Sequence, residues 1–219
     1  MADPFTLEDP HNPRVPKKGH YNLVHVYVGQ QQHHFILQER PLREVSGLVA
    51  KALTAGNNEI MNHTVSLVDE DPASFEMFVH WLYFRKLPVV VENEAKDAER
   101  EYLELAKAWG LGKKLQCPKF QNDVLDALVA RRNEDYDAVN IHPLSETVEY
   151  VYSHTTKLSM LRNFVADMYL QEGFDNRVCL WEDPRRIPLP LLLAITDTLF
   201  DARDVDYDWR YTDAWNFHV

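Results

Sequence analysis

At 219 residues and 25.6 kDa, with 45% apolar and 11% aromatic residues, the chain buries roughly 70% of its unfolded surface on folding, which excludes wholesale disorder. A formal charge of −11, from 34 acidic against 23 basic side chains, repels phosphate backbones and anionic lipid surfaces and argues against nucleic-acid or membrane partners. Cys117 and Cys179 stand alone without partner spacing, which fits reduced thiols inside a cell better than a secreted disulfide scaffold.

Met1 to His20 carries Pro4, Pro10, Pro13 and Pro16, a spacing that defeats helix and ladder alike and predicts a mobile arm over residues 1–20. Its start, "MADPFTLEDP", has no basic first turn and no apolar run, so no signal peptide is expected and the protein is placed in the cytoplasm, the nucleus or both. Arg14, Lys17 and Lys18 read equally well as a nuclear import signal and as a solubilising tail.

From Tyr21, Val24, Val26 and Val28 alternate with His25 and Tyr27, the two-residue period of a strand with one buried face. Gly29 and three glutamines make the turn to a second strand, His34 to Leu37. His25, His33 and His34 raise a metal reading, since imidazole is the commonest transition-metal ligand. The structural reading is stronger: His33 and His34 point to opposite faces, and no cysteine or second close-spaced His pair completes a tetrahedron. Leu42, Val45, Val49 and Leu53 then keep a helical stripe from Pro41 to about Ala55, with Gly56-Asn57-Asn58 as the left-handed stop. Ser46 lies within it, and without a G-x-S-x-G elbow it reads as a packed or back-bonded hydroxyl before a nucleophile.

The most strongly marked stretch runs from Val65 to Leu87, "VSLVDEDPASFEMFVHWLYFRKL". Val65 and Leu67 make a short strand. Asp71 before Pro72 marks a helix start, with the carboxylate placed to accept from the next backbone N–H groups and proline filling the first helical position. Phe75, Phe78, Val79 and Leu82 fall at i, i+3, i+4 and i+7, a stripe that Trp81 and Tyr83 widen. A short Val89–Val91 strand and an acidic linker follow. A helix opening near Asp97 then carries Tyr102, Leu105, Ala106 and Trp109, with Gly110 and Gly112 ending it. The next helix, roughly Pro118 to Arg131, buries Phe120, Val124, Leu125, Leu128 and Val129 and runs out into "RRNEDYD".

Two further helices are predicted, from His142 to Val151 and from the cap candidate Ser159 through Leu161, Phe164, Val165 and Met168. Pro190 opens a last apolar helix to Leu199, too short to span a bilayer, which takes ~20 residues. From Asp201 to Asp213 five Asp and two Arg interleave with Tyr207, Trp209 and Tyr211. That tail reads either as a docking peptide or as a segment folded back on the last helices.

Chemistry finds little footing. None of the seven glycines forms G-x-G-x-x-G or a P-loop, and H-E-x-x-H and C-x-x-C are absent. The pairs Asp69 with Asp71 and Glu92 with Glu94 sit where caps and linkers take charge. We expect no enzyme, no cofactor, no metal and no small-molecule substrate.

The capped aromatic helix with Leu82-Tyr83 at its close, the strand "VHVYVG", the spacing of Phe35, Leu42 and Ser46, and the later "YLELAKAWGL" together resemble the BTB/POZ domain over about Tyr21 to Arg132. The chain departs from the best-known animal form at Leu23, where that form has Asp, and at Gln38, where it has His; "VYVG" and the helices after Arg132 are more similar to the BTB proteins of filamentous fungi. The resemblance implies an α+β fold: a helix cluster flanked by a small mixed sheet over 21–132, additional helices over 133–200 packed on it, and an acidic-aromatic tail over 201–219. It implies a non-catalytic protein-interaction module gripping a cullin scaffold as a ubiquitin-ligase adaptor, with Asp71, Tyr83 and Phe84 as partner-binding residues. The alternative is a self-associating scaffold or transcription-regulatory protein, a homodimer without ligase link, since the sequence carries no kelch-like repeat or zinc finger.

Overall fold

The computed structural model describes residues 22–54, 63–88, 95–138, 145–174, 187–201 and 218; the 1–20 arm, the Gly56-Asn57-Asn58 stop, the Val89–Val91 strand, Cys179 and the tail to 217 lie outside them. The fold is α+β, a small mixed sheet beside a cluster of helices.

Strands β1 (Leu23–Val28) and β2 (His33–Gln38) pair antiparallel, and β3 (Thr64–Leu67) adds parallel to β1, giving the order β2-β1-β3. Val24, Val26 and Val28 are fully buried, as their alternation predicts. The hairpin turn puts Gly29 at φ 74°, and an added Cβ there would meet Pro72 Cγ at 3.2 Å, so both the backbone and the space require glycine.

Helices α1 (Glu39–Val45) and α2 (Gly47–Thr54) replace the single helix predicted from Pro41 to Ala55. The break is Ser46, extended at φ −103° and ψ 110°. Its hydroxyl donates to the Leu115 carbonyl at 2.8 Å and accepts the Val49 N–H at 3.2 Å. The first two N–H groups of α2, on Gly47 and Leu48, donate to the carbonyls of Gln116 and Leu115. The orphan donors opening α2 are thus satisfied by the carbonyls at the end of another helix, with Ser46 as the seal.

That other helix is α4 (Ala95–Lys114), and it does not stop at its glycines. A Cβ on Gly110 would lie 3.1 Å from the Tyr150 hydroxyl, and one on Gly112 would lie 2.8 Å from Gln121 Cγ. Glycine is used here for close approach, and the turn after α4 comes at Gln116, whose φ is 53°. Helix α5 (Pro118–Ala138) continues well past Arg131 through the segment read as its exit. The remaining helices are α6 (Ser145–His154), α7 (Met160–Phe174) and α8 (Leu189–Asp201).

The core is one connected cluster running from the sheet through α3 (Pro72–Phe84), α4 and α5 to α6 and α7. Arg131 pairs with Glu101 at 3.2 Å between α5 and α4. Arg132 pairs with Asp167 of α7 at 3.2 Å while its guanidinium lies 6.0 Å from the centre of the Phe164 ring. Burial pulls the Arg132 pKa down and Asp167 opposes it. Cys117 is a buried free thiol, its pKa raised chiefly by burial, and packs as a small apolar side chain.

Ser46→Ala removes both the seal and the cap, so it is expected to lower unfolding stability by about 1–3 kcal/mol. Urea denaturation checks this; a loss below roughly 0.5 kcal/mol would show that water replaces the hydroxyl.

Candidate partner-binding site

Helix α3 is built as a hub. Pro72 holds its first position, and Phe75, Phe78, Trp81 and Leu82 are each at most 3% exposed. Phe75 meets Phe35 of β2 edge-on at 4.8 Å, Phe78 meets Phe120 of α5 at 5.2 Å, and Trp81 meets the same Phe120 at 5.1 Å. The Trp81 indole N–H donates to Asp123 Oδ2 at 2.5 Å, which settles the one polar atom of that ring.

Arg85 ends the helix in the left-handed region, φ 54°, with its N–H on the Trp81 carbonyl and its guanidinium 4.8 Å over the Trp81 ring. The last turn therefore turns Trp81 and Leu82 inward and Tyr83 and Phe84 outward, 44% and 67% exposed. The Tyr83 hydroxyl accepts the Gln38 backbone N–H at 3.3 Å, at the end of edge strand β2. The Phe84 ring lies 4.8 Å from His80, and His80 Nδ1–H donates to the Lys86 carbonyl at 2.8 Å, fastening the exit of the helix. The result is a held aromatic surface on a rigid base.

Of the three residues proposed from sequence, the structure brings Tyr83 and Phe84 together and sets Asp71 apart. Asp71 caps the opposite end of the 13-residue helix, about 18 Å away at 1.5 Å rise per residue. Its carboxylate makes no bond to the backbone of the first turn, contrary to the sequence reading; it accepts the Ser74 hydroxyl at 3.2 Å instead. Proline at the first position leaves one donor fewer to satisfy there.

Asp71 lines a second feature that the sequence did not show, a cleft of about 560 Å³ between the start of α3, α4 and α6. Lys114 Nζ lies 2.9 Å from Glu70 and 3.8 Å from Asp69, so opposite charges face one another across it. On the α6 wall the Tyr150 and His154 rings stack at 4.3 Å. Burial first, then Glu70 and Asp71, pushes the Tyr150 phenol up to about 12. It is a neutral hydrogen-bond donor near pH 7. Gly110, which admits the Tyr150 hydroxyl, is the sequence signal for this cleft, visible only once the two helices are placed.

The three histidines sort as strand alternation predicts, His34 on the face of His25 and His33 on the other. His25 Nδ1 and His34 Nε2 lie 2.8 Å apart on the outer face of the sheet, where Tyr27 stacks on His34 at 4.6 Å. Among the described residues, no group of three or more His, Cys, Asp or Glu is gathered as for a metal ion, and no helix is long and apolar enough to cross a membrane.

No family model matches the chain, and no curated protein matches it.

Tyr152, like Tyr150, is pushed up to about 12 by burial. Both phenols are favoured neutral in the fold, with native pKa values above the unfolded value of about 10. Their contribution to stability is complete below about pH 10 and is lost as pH rises through about 12, because the native state then binds more protons than the unfolded chain. Phenolate absorbance should show a component near pH 12 that shrinks by one phenol in Tyr150→Phe; no loss from that component in the variant would contradict the burial.

Proposed function

We propose that this protein is a non-catalytic protein-interaction module of the BTB/POZ type, and that the end of α3 is the surface it offers to a cullin-type scaffold. The observation that carries the reading is the split within four consecutive residues. Trp81 and Leu82 are 0% and 3% exposed, anchored in the deepest part of the core, while Tyr83 and Phe84 are 44% and 67% exposed. Two aromatic side chains held outward on an immobile helix end supply contact area at small entropic cost, and such residues dominate protein interfaces.

The order of elements supports the same reading: a hairpin, two short helices, a strand returning parallel to β1, then the capped aromatic helix. So does the Ser46 seal, which joins α2 to the end of α4. Leu23 and Gln38 pair across β1 and β2 at the two positions where the animal form carries charge. The surface therefore joins an uncharged strand pair to the exposed aromatic pair, with the exposed cations Arg85 and Lys86 beside it, and its partner presents a pocket for aromatic side chains. Asp71, about 18 Å off, contributes only to a contact long enough to run the length of α3.

Titration with the N-terminal domain of a purified cullin, followed by interferometry up to about 50 µM, tests this. Phe84→Ala and Tyr83→Ala should each weaken binding by at least about tenfold, with midpoints of urea unfolding unchanged for Phe84→Ala. No binding by the unaltered protein, or binding indifferent to both substitutions, would sink the proposal.

A further inference from the structure

The cleft between the start of α3, α4 and α6 has walls of opposite charge. Asp69, Glu70 and Asp71 stand on the α3 side, and Lys107, Lys113 and Lys114 on α4. Lys114 ties the two walls together, 2.9 Å from Glu70 and 3.8 Å from Asp69. The other two lysines have no carboxylate partner among the described residues, and Asp71 engages only the Ser74 hydroxyl, through Oδ2. Opposite charges left facing one another across about 560 Å³ are complementary to a ligand that carries both signs.

Helix geometry sets how α4 presents its lysines. Gly110 forms the floor, and Lys107 and Lys113 stand about 60° to either side of it, about 9 Å apart along the axis. Gly110 also lets the Tyr150 hydroxyl in between them, 3.1 Å from where a Cβ would lie. That hydroxyl has no hydrogen-bond partner among the described residues, and with its pKa pushed up to about 12 it is a donor near neutral pH. Beside it, His154 Nδ1–H donates to the Tyr150 carbonyl at 2.9 Å, which leaves Nε2 as an acceptor. One donor next to one acceptor is the complement of a peptide group.

We propose that this cleft binds an extended polypeptide segment in which acidic and basic residues alternate. Successive side chains of a strand point to opposite sides. A segment lying between the walls therefore turns its acids to Lys107 and Lys113 and its bases to Asp69 and Asp71, while Tyr150 and His154 take its backbone. Acids two positions apart lie ~6.8 Å from one another on one edge of a strand, a spacing that the flexible lysine stems reach from their ~9 Å separation. The lining favours a peptide over a small molecule: six of its ten residues are ionised, whereas small-molecule pockets are lined mainly by apolar side chains. The site lies at the opposite end of α3 from Tyr83 and Phe84 and does not depend on what they bind.

Fluorescence anisotropy of the full chain with a labelled pentapeptide of alternating glutamate and lysine, in about 20 mM NaCl, tests the proposal. The expected result is saturable binding with a Kd between about 10 and 300 µM, weakened at least about fivefold in roughly 0.5 M NaCl. A peptide of the same composition, with its glutamates and lysines in two blocks, should bind at least about fivefold more weakly. That comparison uses the unaltered protein, so no folding defect enters it. Tyr150→Phe should weaken binding about fivefold with an unchanged midpoint of urea unfolding, because the hydroxyl it removes has no partner among the described residues. Lys107→Glu/Lys113→Glu should transfer the preference to an all-lysine pentapeptide. Absence of saturable binding up to about 1 mM, equal affinity for the block isomer, or a preference for the alternating peptide that survives the charge reversal would each overturn the assignment. Displacement of the labelled peptide by about 1 mM inorganic phosphate would also overturn it, and would make the cleft a small-anion site.

Discussion

The rest of the structure depends on how Trp81 is accommodated. Its indole is fully buried between Phe78 and Phe120, and a buried N–H without an acceptor would cost the full desolvation penalty of that group. Asp123, one turn beyond Phe120 on α5, supplies the acceptor. The same short segment of α5 therefore delivers both the packing ring and the hydrogen bond, which fixes the rotation of α3 about its axis. Once that rotation is set, the direction of every other residue on the helix follows: Phe75 toward the sheet, and Tyr83 and Phe84 to solvent. The surface proposed for a partner is a geometric consequence of a core requirement.

Much of this was legible in the chain because apolar periodicity and caps are local signals. The alternation of Val24, Val26 and Val28 and the stripe Phe75, Phe78, Val79, Leu82 identify their buried faces without reference to anything distant. The start of α3 was legible from Asp71-Pro72, although the role of the carboxylate was not, because choosing between a backbone N–H and a hydroxyl is a matter of angles. Tyr83 and Phe84 were legible as a pair at the end of the helix, but their 18 Å separation from Asp71 follows only when the helix is taken as a rigid rod.

What escaped the sequence reading is non-local. Ser46 breaks a continuous apolar stripe because the carbonyls of Leu115 and Gln116, some 70 positions later, take the N–H groups of α2. His25 and His34 meet because the hairpin register places them diagonally across neighbouring strands, a relation that neighbouring positions in one strand do not reveal. Gly110 and Gly112 looked like stop signals and are spacers. In each case a residue type with two well-known uses was assigned the local use where tertiary approach had selected the other.

Those two glycines carry a further implication for how the protein assembles. Each lowers the intrinsic stability of α4 by about 1 kcal/mol relative to alanine, and the close approach of Tyr150 and Gln121 that they permit exists only after α6 and α5 have docked. The glycines therefore weaken only the last turns of α4, which the docked α5 and α6 hold in place, while its first turns are rich in strong helix formers and carry the Arg100–Glu104 pair.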